Sequence, residues 1–531
     1  MQTAFGCPNV ADYPATPVYL LTSVGLPDST SYFFTYEPTT TGSNNVTGRL
    51  ASVTLPTGGT ISYTYSGGNH GITCGDGSAS GLTRVTPDGT WTYTRSGATT
   101  TITDPTTPTA NQTVLTFQGI YETQHQVYQG SSASGTLLQT VVTCYNGNTT
   151  NCSTTPVTLP ISRRTVFVQL PNAAGLQSRT DSFYNTSSGV LTEMDQYAYG
   201  NGAPGALLRK TTINYATLTN NILNRPSQVT VQDNSSPAKT LSQTTYTYDE
   251  GTPQPTSGTP QHVAITGSRG NPTTITSLVG TSSLTRHVSY YDTGNPYQST
   301  DVNGGITTYN YASGTSSCSN SFPTSITSPI STLSQSMTWN CVGAVQTSAT
   351  DVNGNTSYSN FTTDSKFWRP ESLQDAAGNV TSLTYTGETQ VEAALSFNAG
   401  NSVVDALSVL DSQGRASVQQ RRQGPGVSNF DSTQQTYDAL GRPNQGFMPY
   451  LGASVGQSSP QGTPVTTASY NALSRPLTVT DAGGGSVTFS YQPVVHVVDF
   501  LQGGRRNRVR VRGPTKQLVT DAENRLLQSR F

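Results

Sequence analysis

One short pattern recurs along this chain and limits what it can become. A Thr-Asp-x-x-Gly turn is followed by alternating small polar and aromatic residues, and a Tyr-Asp-x-x-Gly-Arg-Pro turn then follows. The clearest second-type copy is Thr436-Tyr437-Asp438-Ala439-Leu440-Gly441-Arg442-Pro443. Another begins at Tyr470-Asn471 with Arg475 in the arginine place, and runs into Thr480-Asp481. The pattern returns at Tyr291-Asp292 and at three first-type turns: Asp301 to Gly304, Asp351 to Gly354, and Asp375 to Gly378. Weaker copies stand at Leu55 to Tyr65, Tyr246 to Asp249, Asp411 to Arg415 and Thr520 to Leu526.

The physics of one unit follows from its residue types. An aspartate can accept hydrogen bonds from amides two residues on, and the glycine takes the left-handed backbone that other residues avoid. The x-Thr-x-Tyr-x-Tyr run alternates with period two, as a strand with one aromatic face does. The arginine can reach back to its aspartate or to a carbonyl of the next turn, and proline suits the first residue of a strand. Each unit is therefore a β-hairpin. A lone hairpin is marginal, so units must lie side by side. The spacing is uneven, 50 residues from Asp301 to Asp351 and 24 from Asp351 to Asp375, which suits hairpins of variable length better than propeller blades.

Composition agrees. The 531 residues include 51 Gly, 31 Pro and 27 Tyr but only 11% charged residues. That mixture favours strands and turns over helices, and it excludes an all-α protein. The expectation is an all-β fold of consecutive antiparallel hairpins lying side by side in one long sheet of on the order of 40 strands. Residues 1–289 are read as a less regular β-rich segment, and 290–531 as the clear repeat strip, ending within a repeat. With 27 Lys and Arg against 29 Asp and Glu, the net charge of −2 argues against a nucleic-acid binder.

These residues resemble the YD-repeat of the RHS family, the rearrangement-hotspot proteins whose relatives include toxin-complex C components and teneurins. The resemblance implies a β-strip coiled into a hollow shell around a C-terminal polypeptide, often a toxin. The family's Asp-Pro-x-Gly cleavage motif is missing, since the only Asp-Pro is Asp104-Pro105 followed by Thr-Thr. No separate domain is expected between the last repeat and Phe531. The expectation is a piece of shell wall from a longer precursor. No signal peptide is visible at Met1 to Val10, and no stretch approaches the apolar length of a membrane helix. The protein is expected to be secreted or at the cell surface.

Six cysteines are too few for a disulfide mini-protein. Cys144 and Cys152 bracket turn residues, and Cys318 and Cys341 flank two strand-like segments, so both pairs are candidate disulfides. Six reduced, buried cysteines are the alternative. His70 and Cys74 are the one suggestive metal couple, and no metal is expected there. The Asp-x-Asn-Gly runs at 301–304 and 351–354 lack the remaining calcium ligands and are read as turns.

Five histidines without metal or triad spacing, and no phosphate-binding glycine loop, give no catalytic or cofactor site. Trp91, Trp339 and Trp368 are read as packing residues, with a sugar platform as the alternative. Five arginines between Arg505 and Arg512 are read as a solvated edge strand, with a cationic patch for acidic cargo as the alternative. The expected function is a non-catalytic wall, without cofactor, that encloses or presents a polypeptide. Its rival is an adhesin or polymer subunit joined through open sheet edges. A disguised hydrolase is a third class, and the sequence displays no site for one.

Overall fold

The computed structural model describes residues 1–527, except positions 9, 76, 107–108, 172, 313–314, 363–366, 398–401, 412, 425–426, 503–504 and 521–525. Side chains at 315–317, 397, 402–403, 490 and from 492 onward are likewise outside the description. The described residues form 37 strands and one 3-10 turn, Thr315–Asn320, with no α-helix. The fold is all-β, as the turn and strand pattern implies.

The strands run as an antiparallel meander in which each pairs with its sequence neighbours. It opens with β1 (Ser23–Gly25), β2 (Ser31–Pro38), β3 (Val46–Thr54) and β4 (Thr60–Tyr65). The one irregularity lies at strand Phe430–Tyr437, whose free side is shared by Pro443–Phe447 and Tyr450–Gly452. The sheet continues unbroken through strand Ser282–Tyr290, which pairs on both sides.

Nothing among the described residues is layered over this sheet to make a filled interior. Among the described residues only twelve apolar and thirteen polar residues are buried, and four of the twelve are cysteines. The accessible surface is 30125 Å², whereas a compact globule of 56.1 kDa exposes about 18,500 Å². Both faces of the sheet therefore meet solvent over much of their area.

A repeated bulge gives the strip its bend. Tyr215 faces Pro226, Tyr248 faces Pro272, Tyr290 faces Pro296, Tyr437 faces Pro443 and Tyr470 faces Pro476, each with a register shift at the tyrosine. Proline has no N–H for the ladder, so it sits where pairing slips, and a bulge bends and twists its strand. These bulges all fall at the same rim of the sheet, so their bends add.

The strip comes round to meet itself. Thr57 Oγ1 donates to the Ala439 carbonyl at 2.7 Å, and Gln413 Nε2 to the Tyr32 hydroxyl at 2.9 Å. The turn after β3 thus rests on the turn before strand Pro443–Phe447, which lies twenty-seven strands beyond β4. Twenty-seven spacings of about 4.8 Å make a loop of about 130 Å, or about 40 Å across if round.

Candidate functional site

Seven copies of one turn share a single geometry. The side-chain oxygen of Asp301, Asp351, Asp375, Asp411, Asp438, Asn471 or Asp481 accepts from the amides two and four residues on, at 2.8–3.0 Å. Gly304, Gly354, Gly378 and Gly441 have φ between +80° and +85°, and Ser474 takes this place after Asn471 at φ +58°. The amides close on Asp301 and Asp351 themselves, so these runs are turns and not cation loops.

Asp292 departs from its expected role. Its glycine follows after one residue instead of two, so Tyr291 occupies the turn position: the Asn295 carbonyl accepts its amide and its own carbonyl accepts from Gly294. The buried Tyr291 ring donates through its hydroxyl to the Tyr309 carbonyl. Asp292 is redirected to Thr256 (Oδ1 to Oγ1, 2.6 Å) and to His262 Nε2 at 3.4 Å.

The arginine of the second turn type makes both of the contacts its reach permits. Arg442 Nε donates to Asp438 Oδ2 at 2.7 Å, and Nη1 to the Asn471 carbonyl at 3.3 Å. Its guanidinium lies 4.7 Å from the centre of the Tyr470 ring. Arg415 repeats this with Asp411, the Gly441 carbonyl and Tyr437, and Arg475 lies 4.4 Å over Tyr491. Burial opposes the Asp438 charge, but Arg442 and the turn amides outweigh it and hold the carboxyl below its ordinary 3.8.

The two rims differ in chemistry. Turns at 301–305, 351–355, 375–379 and 481–485 lie on one rim and carry Gly or Asn in the fifth place. Turns at 411–415, 438–442 and 471–475 lie on the other and carry arginine. It is the arginine-bearing rim that meets the start of the strip. Arg442 Nη1 donates to Asp88 Oδ2 at 2.6 Å, and Gly59 lies so close to Ala439 that a Cβ there would stand 2.2 Å from its carbonyl oxygen.

Sequence reasoning missed a second device, because it read the tyrosines only as an aromatic ladder. Strand-end hydroxyls donate to the carbonyl that opens the earlier strand they pair with: Tyr248 to Pro226 (2.7 Å), Tyr290 to Pro272 (3.0 Å), Tyr385 to Pro370 (2.9 Å), Tyr437 to Ala416 (3.0 Å) and Tyr470 to Pro443 (2.6 Å). In four of the five the acceptor is a proline that opens the earlier strand, and that proline was the available signal.

A charged row crosses the earlier strands in register: Thr165, Asp181, Asp195 and Lys210. Asp181 is fully buried, bonded by Thr165 Oγ1 at 2.6 Å and by Arg163 and Arg179. Asp195 faces Asp181 directly, and its carboxyl is raised by burial and by nearby Glu193, with Lys210 opposing.

The structure pairs all six cysteines. Cys144 joins Cys152 and Cys318 joins Cys341, while Cys74, weighed with His70 for a metal, joins Cys7. Among the described residues no three potential metal ligands converge. Trp339 stacks on Phe322 and Trp91 lies under Arg84, while Trp368 covers Gly343, so these rings pack separately and form no common platform. The strand Arg505–Thr520 carries the arginine stretch, whose side chains, like the Asp521 turn, lie outside the described residues.

Two crystal structures share this architecture. One is TcdB2-TccC3 without hypervariable C-terminal region, at TM-score 0.51 and 9% identity, matching 86% of this chain and 35% of that one. The other is TcdB2-TccC3-TEV, at TM-score 0.51 and 9% identity, with 87% and 37% covered. The chain has an RHS-like fold. At this identity the likeness is one of fold alone, and the chain spans about a third of the length of these toxin-complex chains. No family model and no curated protein matches it. Among the described residues no helix is long and apolar enough to cross a membrane.

Proposed function

We propose that this chain is a non-catalytic stretch of shell wall that encloses or presents a polypeptide such as a toxin, in a secreted or surface-displayed assembly. The observation that carries the reading is the seam, where one bare sheet curls round until its own rims touch. A loop about 40 Å across leaves a lumen of about 30 Å once the wall's thickness is removed, and a folded chain of about 60 residues, with a radius of gyration near 10 Å, is about 27 Å across. The lumen is thus on the scale of a small polypeptide.

The histidines support a passive wall. His125 contacts Glu122, His262 contacts Asp292 and His287 contacts Thr274, and among the described residues no three His, Cys, Asp or Glu side chains converge as metal ligands around any of them. The likeness to toxin-complex chains supports polypeptide cargo over a small ligand.

Two measurements test this. Small-angle scattering of the purified chain should give the profile of a hollow body, and a filled globule would end the shell reading. An unfolded reporter peptide appended after Phe531 should resist protease while it is attached. Digestion as fast as the free peptide would end the enclosing role, whatever the scattering shows.

A further inference from the structure

A groove of about 530 Å³ opens on the sheet where strands Thr136–Tyr145, Arg163–Leu170 and Leu176–Tyr184 lie side by side. Tyr145 stands directly across from Arg164, and Arg164 from Ser182, so period-two alternation puts Tyr145, Arg164 and Tyr184 on one face. Thr165 and Asp181 occupy the other. Leu159, Pro160 and Ile161 form one wall of the groove. Asn146 pins that wall at both ends: its Nδ2 donates to the Thr158 carbonyl at 2.7 Å, and its Oδ1 accepts from the Ser162 amide at 2.9 Å. A second wall is the turn after Tyr184, which closes on Asn185 Oδ1 through the amides of Ser187 and Ser188. Both walls are held by the chain's own hydrogen bonds.

Arg164 is the group that packing leaves unanswered. Arg163 and Arg179, on the other face, both hold Asp181. Arg49, Arg415, Arg422 and Arg442 likewise each hold a carboxylate. Among the described residues Arg164 pairs with none, and it is exposed. Burial raises the Tyr145 hydroxyl and the Arg164 charge opposes it, so the cation acts on the polar end of that ring. Glu122 also acts on Tyr145, but it is engaged with His125 at 3.2 Å. Around the cation the lining is mainly apolar. Tyr145 and Tyr184 are half-buried, and Leu159 is held out at 72% exposure. Small-ligand sites are built this way, with an apolar lining and a few placed polar groups in a groove of this size.

We propose that this groove binds a carboxylate carried on an apolar, ring-bearing body, with Arg164 taking the carboxylate and Tyr145, Tyr184 and Leu159 covering the body. The planar guanidinium matches a carboxylate through two parallel hydrogen bonds. A sugar fits worse, because its hydroxyls would leave water to face Leu159, Pro160 and Ile161. A doubly charged phosphate fits worse too, since one guanidinium leaves a charge unpaired beside apolar lining. A free aromatic acid and the last residue of a peptide carry the same chemistry. The site requires nothing of the seam or the lumen.

Calorimetric titration of the full chain with N-acetyl-L-phenylalanine and with its primary amide tests this. The acid should bind, and the amide should bind about tenfold more weakly. Arg164→Gln, at an exposed position, should lower the acid to the affinity of the amide, with the β-sheet circular dichroism unchanged. Tyr184→Ala should weaken both ligands alike. Arg286→Gln, at an exposed position on strand Ser282–Tyr290, should change neither. Phenylacetate and a tripeptide ending in phenylalanine separate the two sources: a tighter tripeptide assigns the groove to a peptide end, and a tighter phenylacetate to a free acid. Equal affinity for acid and amide overturns the proposal. So does an acid that fails to bind at millimolar concentration, or an acid preference that survives Arg164→Gln.

Discussion

Arg442 and Asp88 are 354 residues apart in the chain, yet Nη1 and Oδ2 stand 2.6 Å from each other. The same guanidinium holds Asp438 in its own turn. A local device, the arginine that braces a hairpin turn, thereby also fastens one coil of the strip to the next. Both side chains are mostly shielded, 15% and 20% exposed, so solvent screens the pair less than a surface ion pair.

A double-mutant cycle with Arg442→Gln and Asp88→Asn should return a coupling of about 1–2 kcal/mol, above the usual surface pair. Hydrogen exchange at 57–59 and 438–442 should accelerate in either single variant. A coupling indistinguishable from zero would mean that the seam does not depend on this pair.

Adjacent glycines separate the turn from the seam. Gly58 has φ +87° and open space around its missing Cβ, so Gly58→Ala strains only its own turn, at a cost of about 1 kcal/mol. At Gly59 a Cβ would meet the Ala439 backbone at 2.2 Å, so Gly59→Ala should part the coils. Scattering should report a larger radius of gyration for Gly59→Ala and an unchanged one for Gly58→Ala. Equal radii would place the seam elsewhere.

The turns were legible in the sequence because each is local: an oxygen, two amides and a glycine within five residues. Asp292 was misread because the spacing to its glycine is one residue short, which shifts the turn onto Tyr291. The seam was illegible, since Asp88 lies in an unremarkable Pro-Asp-Gly turn with nothing nearby to name Arg442 as its partner. Cys7 and Cys74 are likewise joined by the path of the first residues and not by any motif. The arginine-bearing turns were visible, but their confinement to one rim required the strand count that only the structure supplies.

Asp438 tests how the turn and its ion pair divide the work. Asn471 shows that an amide oxygen accepts the same two backbone bonds, both at 3.0 Å. Asp438→Asn should therefore keep the turn and lose only the pair with Arg442, whereas Asp438→Ala loses both. The alanine variant should be less stable by about 1–2 kcal/mol more than the asparagine variant in urea melts. Equal losses would assign the whole effect to Arg442.

Acid should act on the same carboxylates. Burial opposes the charge of Asp438, Asp181 and Asp292, but hydrogen bonds and nearby cations hold all three below 3.8 when folded. An unfolded aspartate titrates near 3.9. Their stabilising contribution is therefore complete above about pH 4 and drains away as pH falls through the lower folded values. Urea midpoints of the Asp195→Asn variant, which lacks a raised carboxyl that would add stability as pH falls, should drop once pH falls below about 4. A drop that starts well above that point would implicate other groups.

Asp195 has the opposite sign. Its folded carboxyl is raised, first by burial and then by Glu193, and it stands opposite Asp181 in the ladder. A raised carboxyl favours the fold while protonated, and that advantage is lost as pH rises through the folded value. At neutral pH its charge is therefore a burden, and like charges directly across a strand pair are destabilising. Asp195→Asn should raise stability at pH 7 by on the order of 1 kcal/mol. The gain should shrink toward zero near pH 3, where the wild-type carboxyl is already protonated. Urea midpoints for the two proteins at both pH values decide it, since an equal gain at each would point to packing and not to charge.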